Sequence, residues 1–173
     1  LTSDDHNRVW VGTKNGFNII NNGFVASHVT GEIAREHRVL RLGQVNAITA
    51  DGDVALISCE SGLLLYDDRD MSFSEVLLSS KPIHASALMA DGDIAYIFDS
   101  WSDSLIEYDF HSQSVSVIKC LGQDSGYNFE KILKPTGDRL LLADDRHGVF
   151  EFSLLDKSLR NVIAGDGGIV SEA

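Results

Sequence analysis

Long apolar runs are missing from this chain. None approaches the roughly 20 residues a helix needs to cross a bilayer, so no spanning helix is expected within it. Basic residues are scarce, with 14 Lys and Arg against 26 Asp and Glu and a formal charge of -12. Such an acidic surface repels phosphate backbones and anionic headgroups, which argues against nucleic-acid or membrane-surface binding. Proline occurs only twice while 43% of residues are apolar, a composition that excludes a disordered chain. The two cysteines, Cys59 and Cys120, form no CxxC and offer no metal-ligand spacing. They leave two alternatives, a single disulfide or two idle thiols. The six histidines (6, 28, 37, 84, 111 and 147) are scattered without a metal-binding pair. No GxSxG elbow is present, and the neighbouring Asp144 and Asp145 would point in opposite directions at a strand end. No catalytic residue, metal or cofactor is expected. The first residue is Leu1 and not Met, which suggests a piece of a longer protein, so a missing leader is uninformative about localisation.

What the chain does have is repetition. "GFNIIN" (16–21), "GLLLYD" (62–67), "SLIEYD" (104–109) and "GVFEFS" (148–153) follow one another at steps of 46, 42 and 44 residues. Upstream of each lies a second apolar run: "RVWVGT" (8–13), "DVALIS" (53–58), "DIAYIF" (93–98) and "DRLLLA" (138–143). A turn signal precedes that run in each copy: "DDHN" (4–7), "ADGD" (50–53), "ADGD" (90–93) and "PTGD" (135–138). Three copies carry a further apolar segment before the turn, whereas the first retains only "LTS". The segments are too short for independent helices and rich in β-branched and aromatic residues, so they are expected as strands. Asp-Gly and Asn-Gly supply the positive φ angles of tight hairpins. That chemistry explains the two DGD turns without calcium.

A fourth strand is expected in "FSEVLL" (73–78), "SVSVIK" (114–119) and "SLRNVI" (158–163), and, for the first copy, within 33–42 after a longer loop. Four antiparallel strands per 40 to 46 residues is the arithmetic of a β-propeller blade. The expected fold is therefore all-β. It has four four-stranded antiparallel blades at about 1–42, 43–80, 81–122 and 123–165, with 166–173 beginning a next blade. Strands covered on both faces explain runs such as "VALI" and "GLLLY" that do not alternate. A β-sandwich is the competing fold, but it has no reason to repeat its hairpin chemistry at this interval.

In "TSDDHNRVWVGTKNGFNIIN" the residues Asp4, Asp5, Asn7, Val9, Trp10, Val11, Gly12, Thr13, Gly16 and Phe17 match a known pattern. The stretch resembles the regulator-propeller repeat of bacterial two-component sensors. The second copy keeps Asp51, Gly52, Gly62, Leu63, Tyr66 and Asp67, with Ala55 in place of Trp; the third keeps Asp91, Gly92, Leu105, Tyr108 and Asp109. The fourth keeps Gly137, Gly148, Val149 and Phe152. This resemblance implies a partial seven-bladed propeller from the periplasmic sensor region of a hybrid histidine kinase, an inner-membrane protein responding to glycan breakdown products. Any kinase activity would lie outside these residues. Two exposed blade faces would then be covered by further blades or by a second chain, in a homo-oligomer.

Loops joining the second and third strands share one end of the blades with the inter-blade connections. "DSWSDS" (99–104) brings Trp101 and Asp103, "GQDSGYN" (122–128) brings Tyr127, and "DDRHG" (144–148) brings Asp145, Arg146 and His147. An indole beside carboxylates and a guanidinium suits a sugar: the ring stacks on C–H faces and polar groups take hydroxyls. The bland alternative folds Trp101 back on its own blade and leaves the charges solvated. Three functions follow. The first is a non-enzymatic sensor of a small molecule such as an oligosaccharide. The second is a propeller enzyme, a lyase or lactonase, drawing on inner-strand residues Asn46, Thr49, His84, Ser86, Glu130 and Lys131. The third is a structural interaction scaffold.

Overall fold

The computed structural model describes residues 1–35, 38–122 and 126–164. Blade one contains β1 (Thr2–Ser3), β2 (Val9–Thr13), β3 (Gly16–Asn21) and β4 (Phe24–Val29), paired antiparallel in that order. A separate hairpin follows, β5 (Glu32–Arg35) with β6 (Arg38–Arg41). Blade two contains β7 (Ala47–Asp51), β8 (Val54–Cys59), β9 (Gly62–Asp67) and β10 (Ser72–Glu75). A short ribbon, β11 (Leu77–Leu78) with β12 (Lys81–Pro82), leads into blade three. That blade contains β13 (Ala85–Asp91), β14 (Ile94–Asp99), β15 (Ser104–Asp109) and β16 (Ser114–Cys120). Blade four contains β17 (Phe129–Leu133), β18 (Arg139–Asp144), β19 (Gly148–Ser153) and β20 (Leu159–Ala164). The chain is thus all-β, four propeller blades of four antiparallel strands each.

The blades pack face to face, and alternation along each strand sorts side chains between neighbours. In blade two, Ala55, Ile57, Leu64 and Tyr66 meet Trp10, Phe17 and Ile19 of blade one. The intervening Leu56, Leu63 and Leu65 meet Ala95, Ile97, Ile106 and Tyr108 of blade three. Blade three then turns Tyr96, Phe98 and Leu105 toward Phe129, Leu140, Leu142, Phe150 and Phe152 of blade four. A strand buried on both faces has no polar positions to spare, which is why "VALIS" shows no alternation. Beyond the last of these layers, Leu133 and Ile163 of blade four are 59% and 61% exposed.

Two local expectations need correction. The fourth strand of blade one is β4, directly after the Asn22-Gly23 turn, and not a segment within 33–42. Both turn residues have positive φ (50° and 80°), so the connection is a tight hairpin where a long loop was expected. The later segment forms β5–β6, and Leu40 of β6 with Leu42 just after it enters the first inter-blade core. In blade two the fourth strand stops at Glu75, because Val76 turns inward and its N–H donates to Leu63 O. The residues expected to begin a next blade, 166–173, lie outside the described ones.

Candidate ligand-binding site

At one end of the strands, the β8 terminus, the β14–β15 loop and the starts of β13 and β17 surround a pocket of about 460 Å3. Asn46, His84, Ser86, Trp101, Glu130 and Lys131 provide its functional groups. Irregular pairing brings several of them there. The β13–β14 register shifts between Ala85 and Ala87, and the β17–β18 register shifts between Phe129 and Lys131. Each bulge inserts one unpaired residue, Ser86 in blade three and Glu130 in blade four. A bulge breaks the two-residue alternation. Consecutive residues, Glu130 and Lys131, therefore both line the pocket where a regular strand would send them to opposite faces.

Hydroxyl-to-carbonyl bonds hold the wall together. Ser58 Oγ donates to Ala85 O at 2.6 Å and Ser86 Oγ donates to Phe129 O at 2.7 Å, joining successive blades. Thr49, further along β7, is buried and accepts the Ala90 N–H at 2.9 Å, so its hydroxyl is structural. At the rim the Trp101 indole is 73% exposed. It lies on the His84 imidazole, with ring centroids 3.6 Å apart and planes 18° apart. One indole face is covered and the other is open.

Of the six residues expected at a site, Trp101 alone lines this pocket. Asp103 sits in the same loop at φ 47°, its carbonyl accepting the Leu121 N–H at 2.8 Å. Tyr127 is half-buried in blade four, its ring 5.3 Å from Phe129 and 4.9 Å from Phe150, so it serves packing and not the pocket. Asp145 and Arg146 are exposed on the β18–β19 turn. His147 is also on that turn, its Nδ1 2.8 Å from Oδ1 of the buried Asp144. Burial alone would push the Asp144 carboxyl upward, but hydrogen bonds from the Asn128, His147 and Arg146 N–H groups and the His147 ring hold it below the usual range. Five residues named for the inner strands, Asn46, His84, Ser86, Glu130 and Lys131, do line the pocket.

At the opposite end of the strands, Asp51, Asp67, Arg69, Asp93 and His111 border a smaller pocket of about 270 Å3. Among the described residues, Asp4, Asp5 and His6 have the spacing to share a metal ion. Both Asp4 oxygens are already engaged, however, by the Trp10 indole, the Arg8 side chain and two backbone N–H groups. A cation would have to displace a buried guanidinium contact.

No protein-family model matches the sequence, and no curated protein matches it either. Solved structures do resemble it in fold. The extracellular domain assigned to the hybrid two-component system BT3049 of B. thetaiotaomicron superposes with a TM-score of 0.69 over 94% of this chain, at 14% identity. This chain spans only 24% of that domain. An auxiliary nutrient binding protein from Bacteroides thetaiotaomicron VPI-5482 gives a TM-score of 0.62 at 18% identity, covering 90% of this chain and 38% of its own. The N-terminal domain of Nup159 gives 0.51 at 14% identity, covering 88% of this chain and 40% of its own. These likenesses establish the propeller fold and, at such identities, nothing finer.

Proposed function

We propose that the chain is a ligand-binding, non-enzymatic part of an extracytoplasmic sensor of the hybrid two-component type, periplasmic in location. Its ligand is a small molecule of the oligosaccharide class. The observation that carries this is Trp101, a largely exposed indole backed by an imidazole at the rim of a polar pocket. A sugar ring presents an apolar C–H face and a fringe of hydroxyls. The indole offers the complement to the first, while Asn46, Ser86, Glu130 and Lys131 offer donors and acceptors to the second. The fold likeness to a two-component extracellular domain and to a nutrient binding protein supports the same choice. Signalling would require the ligand to bind two arrangements of the assembled sensor unequally, with any kinase lying beyond these residues.

Calorimetry against a panel of neutral and charged oligosaccharides tests this. Binding is expected, weakened at least about tenfold by Trp101→Ala, the scale of losing one aromatic anchor. Turnover of a sugar in the presence of a divalent metal would overturn the proposal in favour of an enzyme. Tight self-association with no sugar bound would overturn it in favour of a scaffold.

A further inference from the structure

Trp101 and His84 come from different parts of blade three, yet one carboxylate holds both. Asp99, the last residue of β14, is buried at 4% exposure. Its Oδ1 accepts the His84 N–H at 2.9 Å and the Trp101 N–H at 3.3 Å, and its Oδ2 accepts the Ser102 hydroxyl at 2.5 Å. Ser100 closes the other side, its N–H and its hydroxyl both donating to His84 O at 3.0 Å. The His84 backbone is therefore gripped at both its polar groups by residues 99 and 100.

Blade four repeats the device at Asp144. Its Oδ2 accepts the Asn128 N–H at 2.5 Å and its Oδ1 accepts the Arg146 and His147 N–H groups at 2.9 and 2.7 Å. The corresponding residues of blades one and two are Thr13 and Cys59, neither of them an anion. The clamp occurs in the two blades whose bulged inner strands wall the pocket.

We infer that Asp99 is the positioning residue of the binding platform. It locks the His84 imidazole against one face of the Trp101 indole, so that a ligand meets a single, preoriented ring face. This rests on Trp101 being the platform proposed above. An exposed indole without the clamp would sample several rotamers, and binding would then carry the cost of ordering it. The covered face rules out insertion of a ligand ring between two aromatics. What remains suits a ligand with one flat apolar side.

Acrylamide quenching of Trp101 fluorescence tests the clamp without any ligand. The Trp101 signal is taken by difference from Trp101→Phe, since the other tryptophan, Trp10, is fully buried. In Asp99→Ala the quenching constant of Trp101 is expected to rise, by up to about 1.4-fold since 73% of the residue is already exposed, because the face under His84 is uncovered. Asp99→Asn keeps an Oδ1 acceptor for both N–H groups and is expected to quench like the wild type. Asp144→Ala, the same truncation in blade four, is expected to leave Trp101 unchanged, which separates positioning from general loosening. Unchanged quenching in a folded Asp99→Ala, or equal quenching in Asp144→Ala, overturns the inference. If Asp99→Ala fails to fold, the decision passes to Asp99→Ser, whose shorter polar side chain withdraws the acceptor from the His84 N–H: a rise in quenching supports the clamp, and wild-type quenching sinks it. If no oligosaccharide binds while Asp99→Ala loosens the stack, the functional proposal fails and the clamp stands. If oligosaccharides bind wild type and Asp99→Ala alike but not Trp101→Ala, the clamp fails and the function stands.

Discussion

The Trp10 indole N–H donates to Asp4 Oδ2 at 2.8 Å, with both side chains buried. Arg8 Nε reaches the same oxygen at 2.7 Å, and the N–H groups of His6 and Arg8 donate to Oδ1 at 3.0 and 2.9 Å. The Arg8 guanidinium then crosses to blade two, where it meets Gly52 O, Asp53 and Asp68. One carboxylate thus fixes the first turn, orients the motif tryptophan and anchors the bridge between blades.

Asp4→Ala is expected to cost about 3 kcal/mol or more, the scale of leaving a buried charge and an indole N–H without their partner. Arg8→Lys should cost less but still measurably, since a single ammonium cannot serve three carboxylates in the planes a guanidinium satisfies. Urea unfolding measures both. A loss below about 1 kcal/mol for Asp4→Ala would show the hub to be dispensable.

The acid limb of stability has a predicted sign. At Asp4, burial opposes ionisation, but the hydrogen bonds from Trp10 and Arg8 outweigh it and hold the carboxyl below its usual range. Its contribution is therefore present above the unfolded carboxylate range and is lost as pH falls through that range toward the depressed folded value. Asp51 runs the other way, raised by burial and then by the neighbouring Asp5 and Asp93. Its ionised form is a liability at neutral pH, relieved as pH falls through the raised value. Asp51→Asn should therefore stabilise at neutral pH by under about 1 kcal/mol, the scale of partly exposed charges. The gain should vanish near about pH 4, where the unfolded carboxyl also takes a proton. Melting temperatures across pH for wild type, Asp4→Asn and Asp51→Asn check both signs.

Most of the architecture was legible because each blade repeats the same turn chemistry and the same buried runs. Gly52 and Gly92 do adopt positive φ, and Trp10, stacked on Phe17 of its own blade, packs edge-on against Tyr66 of blade two. Strand β4 was missed because Phe24, Val25 and Ala26 show no alternation, although the Asn22-Gly23 pair before it is a hairpin signal. The pocket was half legible. A loop position identified Trp101, but alternation sends Glu130 and Lys131 apart, and only the bulge reunites them. The exposed appearance of Tyr127 in the sequence likewise gave no sign of Phe150, which comes from the next hairpin to pack on it.

Glycines that begin the third strand should tolerate substitution far less than turn glycines. Gly16 has φ 93°, and a Cβ there would fall 1.9 Å from Val29 O. Gly23 has φ 80° with nothing within 4 Å of its Cβ position. Gly23→Ala is thus expected to cost about 1–2 kcal/mol from backbone strain alone. Gly16→Ala must also move a paired strand and should cost about 3 kcal/mol or more. Equal losses in a chemical melt would contradict the steric account.

The thiols offer a measurement on the intact protein. Cys59 and Cys120 are both free, the first buried in blade two and the second exposed at the end of β16. Burial pushes the Cys59 thiol upward, against hydrogen bonds to Ser61 and Gly62 that partly offset it, so little thiolate is present at neutral pH. Only thiolate attacks a disulfide reagent, and it must also be reached. One equivalent of an aromatic disulfide such as Ellman's reagent is therefore expected to react with the native chain, at Cys120, and a second only in denaturant. In Cys120→Ser the remaining reaction at Cys59 should follow the opening of blade two, slowing with conditions that stabilise the fold and accelerating in Asp4→Ala through the hub that ties blade one to it. Two fast equivalents in the native protein would show that Cys59 is accessible, and none even in denaturant would show the two cysteines to be bonded.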